Sequence, residues 1–323
     1  MGNALPGLLA TIAVIALVGN IFVVILFIKN RKWLKKAHSC LILALATQDI
    51  LTSIGLLALP SFVQPPDAYV VPSEPTLRKV YCSLVWSQYF PFSLGVASVY
   101  TCLMLTIERW FAVVRPLAYR RLAQSPKLIQ AIVVVPWLAG FTLEINGSLS
   151  GKPRATGNGS YECYWQTIEV SSRSVSLAIF TLFGTILVPS ILMMVAYVQI
   201  IICIKRSSSR VGRSVSPEQA PGTGGGATTR GESHEFRSLK RVTRMVFSAS
   251  AIMIACWLPD QVYYALSQMG LVELGTTAHH VFKVLAFANS CFNPFVYCFS
   301  NKQYRAEFKA IFSFCFLKQE AGD

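Results

Sequence analysis
The sequence predicts an all-α membrane protein, a bundle of seven membrane-spanning helices followed by a short amphipathic helix. Three observations predict it. Of 323 residues, 53% are hydrophobic and only 14% charged, with mean hydropathy +0.49, far more apolar than an ordinary soluble domain. Apolar runs long enough to cross a bilayer, for which ~20 residues suffice, recur at about 5–28, 39–63, 82–107, 128–145, 175–204, 242–266 and 281–300. Lys and Arg are concentrated on one side, with 22 in alternate connectors and the tail against six on the other side. The positive-inside rule therefore places the amino terminus outside. The formal charge of +14 follows this topology, sitting in short connectors and not on an aromatic polar surface, so no nucleic-acid partner is expected. A single seven-span unit is expected over 1–323, and the first apolar run is too long and lacks the small-residue site of a cleaved signal.

In the first run Asn20 is a lone amide, suited to helix packing or to function. The second holds Leu45-Ala-Thr-Gln-Asp49, and a carboxylate half-way through a span is costly unless partnered, which marks a functional site. Four prolines make connector 64–80 extended or turn-forming. In the third run Pro91, Gly95, Ser98, Cys102, Leu105 and Arg109 recur at helical spacing, a small and polar stripe that faces protein. Glu108-Arg109-Trp110 ends it, where Arg109 could also be a snorkelling anchor. Loop 146–174 contains Cys163 and two glycosylation sequons, at Asn146 and Asn158, of which Asn158 lies further from the membrane boundary.

The fifth run carries Pro189 and Tyr197, and the Ser-, Gly- and Arg-rich stretch 205–238 is expected to be a disordered inner loop. In the sixth, Cys256-Trp257-Leu258-Pro259-Asp260 is a kinked helix whose Trp257, Asp260, Gln261 and Tyr264 share one face, as a pocket wall would. The seventh has Asn289 and Asn293 four apart, Ser290 beside them and Pro294 next, polar groups that some interior surface must satisfy. Residues 301–312 place apolar side chains at 304, 308 and 312 among charges, an amphipathic helix on the inner bilayer surface. Cys315 after it is a palmitoylation candidate.

Asn20, Asp49, Glu108-Arg109, Trp137, Pro189 with Tyr197, Cys256-Trp257-Leu258-Pro259 and Asn293-Pro294-Phe295-Val296-Tyr297, in this order, resemble the rhodopsin-like (class A) G-protein-coupled receptors. The resemblance implies a ligand-driven two-state switch and no enzymatic chemistry, opening an inner cleft for a heterotrimeric G protein, with arrestin and a receptor kinase as later partners. It implies a Cys82–Cys163 disulfide and a switch built from Glu108, Arg109, Tyr197, Trp257, Pro259, Asn293, Pro294 and Tyr297. It also implies no required cofactor, but an allosteric sodium ion at Asp49, Ser98, Asn289 and Asn293. Three departures stand out: Trp110 replaces the usual Tyr, Leu239 the acid that often holds the arginine from the sixth helix, and Met253 the usual Phe.

The look of the chain is similar to receptors of the galanin, allatostatin, somatostatin and tachykinin type, which implies a peptide-like agonist. Gln88, Phe92, Asp260, Gln261, Tyr264, His279 and Lys283 would line its pocket, with Asp260 either paired to Lys283 or receiving a ligand cation. Pro91 stands where amine receptors carry their acid, and Phe287 where opsins carry their lysine, which argues against an amine or light-driven ligand. A transporter is the rival from another class, but the two halves show no internal repeat.

Overall fold
The computed structural model describes residues 4–123, 125–156, 159–166, 170–213, 226–300, 304–307 and 309–310. Seven helices are long and apolar enough to cross a membrane: Leu5–Lys29, Ala37–Ala58, Tyr89–Val114, Pro126–Ser148, Ser172–Arg206, Leu239–Gln268 and Thr277–Ser300, the first to seventh spans below. Outer denotes the end of the bundle at the amino terminus, inner the end with the basic connectors. The third span is the axis: 72% of its apolar window is buried, against 11% for the fourth. Its predicted stripe is inside, since Pro91, Gly95, Ser98, Cys102, Leu105 and Arg109 are all buried.

Span ends follow local chemistry. The second span stops at Ala58 because Pro60 cannot continue the ladder. Connector 64–80, expected to be extended or turn-forming and not helical, is helical in its last part. Pro75–Val80 forms a helical turn in which Pro75 takes the first position, where its missing N–H costs nothing, and Glu74 accepts from the Thr76 and Leu77 amides. A π-helical stretch, Tyr81–Trp86, carries Cys82, and the third span begins only at Tyr89 because Gln88 adopts a left-handed φ of 66°. The fifth span is interrupted by another π-helical stretch, Phe183–Leu187. There the Gly184 carbonyl accepts from Tyr100, and Thr185 is turned toward the sixth span.

Loop 146–174 holds an antiparallel hairpin, β1 (Gly151–Ala155) and β2 (Tyr161–Trp165), with Pro153 opposite Cys163. The Cys82–Cys163 disulfide, Cα to Cα 5.4 Å, ties it to the third span, and Trp165 packs on Trp86 at 5.2 Å. A side chain at Gly151 would meet the Cys82 carbonyl at 2.4 Å, so the strand can approach this closely only as glycine. Asn146 lies in the short helix Ile145–Ser148, while Asn158 and Cys315 fall outside the described residues.

At the inner end the described parts of 205–238, residues 205–213 and 226–238, are helical. The fifth helix runs to Arg213, and the sixth starts at Gly226. A helix nucleated inside the membrane propagates into a polar segment at little cost, because propagation needs no core. Residues 304–307 and 309–310 are helical, consistent with a short helix after the seventh span. Tyr304 is buried against Trp33 (5.2 Å), Phe27 (6.2 Å) and Tyr297 (6.2 Å); the side chains at 308 and 312 lie outside the description.

Candidate functional site
Three layers of polar side chains run down the bundle. The outer layer is an open cavity of about 740 Å³, and all seven residues expected to line it do so: Gln88, Phe92, Asp260, Gln261, Tyr264, His279 and Lys283. Their grouping follows from helical spacing, since Asp260, Gln261 and Tyr264 lie within one turn on the sixth span, and His279 and Lys283 four apart on the seventh. Trp165 and Gln166 of the hairpin close one side.

Of the two alternatives for Asp260, the ion pair with Lys283 is not formed within 4.0 Å. Lys283 instead donates to Gln88 Oε1 at 3.1 Å and stands over the Phe62 and Phe92 rings at 5.8 and 6.0 Å. Gln88 in turn donates to the Ser61 carbonyl at 3.0 Å. Ser61 and Gln88 are the two non-glycine residues with positive φ among those described, so locally unfavourable backbone is stored where it presents the lysine's partner. No cation lies within 4.0 Å of Asp260 among the described residues, although Lys283 is within electrostatic reach. A second carboxylate, Glu144, lines the same cavity and interacts with Asp260 across it. An acid in the last turn of a span is the same kind of signal as Asp49, and that signal could have found it. Thr185 donates to Gln261 Oε1 at 2.7 Å, fixing the amide's orientation. His279 accepts from the Gly275 amide at 2.9 Å and stacks on Tyr263 at 5.7 Å.

Below the cavity Trp257, Phe92 and Phe287 form a floor, with ring centroids 5.3–6.3 Å apart. Beneath them Asp49 is buried and accepts from Ser290 Oγ at 2.8 Å and Asn293 Nδ2 at 2.8 Å, so the seventh span's polar face meets the second span's carboxylate. Asn20 donates to the Ser290 carbonyl at 3.0 Å. Ser98 is not on Asp49: it donates to Gln48 Oε1 at 3.3 Å, which also accepts from Thr101 at 3.0 Å. The Asn289 Oδ1, Gln48 Nε2, Asn20 Oδ1 and Tyr297 hydroxyl are buried without a protein partner. A buried carboxylate that accepts only from neutral donors, with the Asn289 amide oxygen one helical turn from Asn293 left without a partner, is a donor set that fits a small hard cation or water.

The inner layer is the Glu108–Arg109 pair. Arg109 donates through Nε and an Nη to both carboxylate oxygens of Glu108, and contacts His38 Nδ1 at 3.1 Å. Tyr119, on the helix Pro116–Ala123, donates to Glu108 at 2.7 Å. Burial first, and then the Glu108 carboxylate, push the Tyr119 phenol up to about 12, so it remains a donor at neutral pH. The sixth span supplies no acid to this cluster; His38 and Tyr119, neither singled out by the sequence reading, hold it instead. Tyr197 is bonded to Thr106 (3.0 Å) and Ser250 (3.2 Å), joining the third, fifth and sixth spans. Trp110, which lacks the usual tyrosine's hydroxyl, donates its indole N–H to Gln199 at 2.6 Å.

Among similar sequences are an allatostatin-A receptor of Bombyx mori, 28% identical over 96% of this chain and 80% of that protein, and somatostatin receptor type 4 of Rattus norvegicus, 26% identical over 97% and 74%. The neuromedin-K receptor of Homo sapiens is 23% identical over 97% of this chain, which spans only 62% of that relative. The family described as 7 transmembrane receptor (rhodopsin family), whose members are signalling receptors and not enzymes, matches residues 19–297. The chain is a multi-pass membrane protein and belongs to the rhodopsin family of seven-transmembrane receptors.

Proposed function
We propose that this chain is a plasma-membrane receptor, amino terminus outside, that binds an extracellular peptide bearing a basic group and activates a heterotrimeric G protein. The observation that carries the reading is Asp260: buried at the wall of a wide cavity, with no cation within 4.0 Å among the described residues, and with Glu144 lining the same cavity. Two acids in one cavity, neither with a cation within 4.0 Å among the described residues, attract a guanidinium or ammonium even with Lys283 nearby, and the relatives' names point to peptide ligands. The arrangement with Arg109 folded onto Glu108 is the resting state, and agonist binding favours one in which the sixth span swings out and frees the arginine. Asp49, with Asn289 and Asn293, holds an allosteric sodium ion that balances the buried carboxylate, while Ser98 must leave Gln48 to join it. Arrestin recruitment follows kinase action on the serines of 205–238, outside the described side chains.

Membranes from expressing cells, challenged with a peptide library, are expected to catalyse nucleotide exchange on added G protein. Asp260→Asn is expected to raise the half-maximal peptide concentration about 10- to 100-fold, the worth of one charge-assisted hydrogen bond, without lowering surface abundance. Solute flux without G protein, or lost abundance with unchanged potency, overturns the reading.

A further inference from the structure
The outer cavity holds a cation as well as two acids. Lys283 is only 8% exposed, yet no carboxylate lies within 4.0 Å of it among the described residues. Its ammonium donates to the neutral Gln88 amide at 3.1 Å and stands over the Phe62 and Phe92 rings. An ammonium has three donors, so this bond leaves room for a further acceptor. Gln88, Phe62 and Phe92 all line the cavity, which sets the ammonium at the cavity wall and not behind it. The Gln88 amide is fixed from its other end, since its nitrogen donates to the Ser61 carbonyl at 3.0 Å. Asp260, on the sixth span, acts on Lys283 from beyond contact distance. A ligand cation seated at Asp260 takes up that carboxylate and brings a like charge toward the lysine. Like charges in a poorly solvated site repel strongly, so the arrangement is balanced only if the ligand also brings an anion.

We propose that Lys283, held by Gln88, is the anion subsite of this cavity and takes a carboxylate of the same peptide whose basic group goes to Asp260 and Glu144. This rests on the peptide-receptor reading above and narrows it, because the inserted segment of the agonist then carries both charges. Trp257, Phe92 and Phe287 close the cavity floor, so an end of the peptide enters more readily than its middle, which would have to turn back. Two kinds of end present both charges close together: a basic last residue with a free α-carboxylate, or a free amino end beside an acidic side chain. The chemistry at Lys283 is the same for both, an ammonium donating to a carboxylate where little water competes. A basic end without a carboxylate satisfies the acids and leaves the lysine unbalanced.

The test is nucleotide exchange on added G protein by membranes carrying the full chain, challenged with two sets of paired synthetic peptides. Peptides of the first set are acetylated and end in Arg or Lys, each made as the free acid and as the amide. Those of the second have a free amino end and an amidated last residue, each made with Glu and with Gln beside the amino end. In one set the carboxylate-bearing partner is expected to act at a half-maximal concentration about 10- to 100-fold lower, the worth of one charge-assisted hydrogen bond. The set that shows it identifies which end enters. Lys283→Gln should abolish the preference and Lys283→Arg should keep it. Activation that is equal with and without the carboxylate in both sets, or a preference that survives Lys283→Gln, overturns this proposal and leaves the receptor for basic peptides standing. Activation by no peptide of either set overturns both. If Lys283→Gln does not reach the cell surface, the preferences of the parent chain and of Lys283→Arg decide.

Discussion

Gly95→Ala is expected to lose about 1–3 kcal/mol of stability, the usual range for overpacking a tight interior. The added methyl would sit 1.9 Å from Trp257 Cη2 and 2.1 Å from Cζ2, far inside any real contact, so one partner must move. Trp257 cannot swing away freely, because its indole is 2% exposed and held between Phe92 and Phe287. The backbone of the third span is the other option, and it is the most buried element of the bundle. Thermal unfolding of the purified chain should show the loss, and Trp257→Leu should recover part of it in the double variant because it removes the clashing ring. Additive losses would mean that the two side chains do not share this space.

Glu108→Gln is expected to raise nucleotide exchange without ligand. Arg109 is buried, and Glu108 supplies its only carboxylate among the described residues. Removing one partner of a buried ion pair costs about 3–5 kcal/mol, because the other charge is left in a poor dielectric. That cost falls on the closed arrangement alone, since an outward sixth span would expose the guanidinium to water and G protein. The bias should be large because Leu239 offers no second latch; what remains is His38 at 3.1 Å and the Tyr119 hydroxyl. Basal exchange on purified G protein measures it. A rise of several-fold or more is expected, and exchange equal to the parent's would show that the Glu108 pair does not hold the resting state.

The seven spans were legible because a bilayer requires long apolar helices. The functional faces were legible for a related reason: a polar residue inside a span must point at something, and helical spacing says which others share its direction. Hence all seven residues assigned to the outer cavity lie in it, and Asp49 meets Asn293. Missed features depend on contacts between distant segments or on unusual backbone. The third span starts at Tyr89 because Gln88 takes a left-handed conformation, for which a glutamine gives no sign. The hairpin Gly151–Ala155 with Tyr161–Trp165 is short, polar and fixed by Cys163, so its alternation is faint. Lys283 chooses Gln88 over Asp260 through a geometry that only the assembled helices set. Gln48, which the sequence reading did not single out, takes both Ser98 and Thr101.

The account's central claim is that the buried cluster around Asp49 transmits the state of the outer cavity to Arg109. Asn293 donates to Asp49 and precedes Pro294, whose missing N–H loosens the seventh helix above the buried Tyr297. The most direct measurement pairs agonist binding with agonist-stimulated nucleotide exchange for Asn293→Ala and Asp49→Ala on the same membranes. Binding within a few-fold of the parent, with stimulated exchange reduced by tenfold or more and its sodium sensitivity lost, is the predicted result. Binding and exchange both unchanged, sodium sensitivity included, would contradict it.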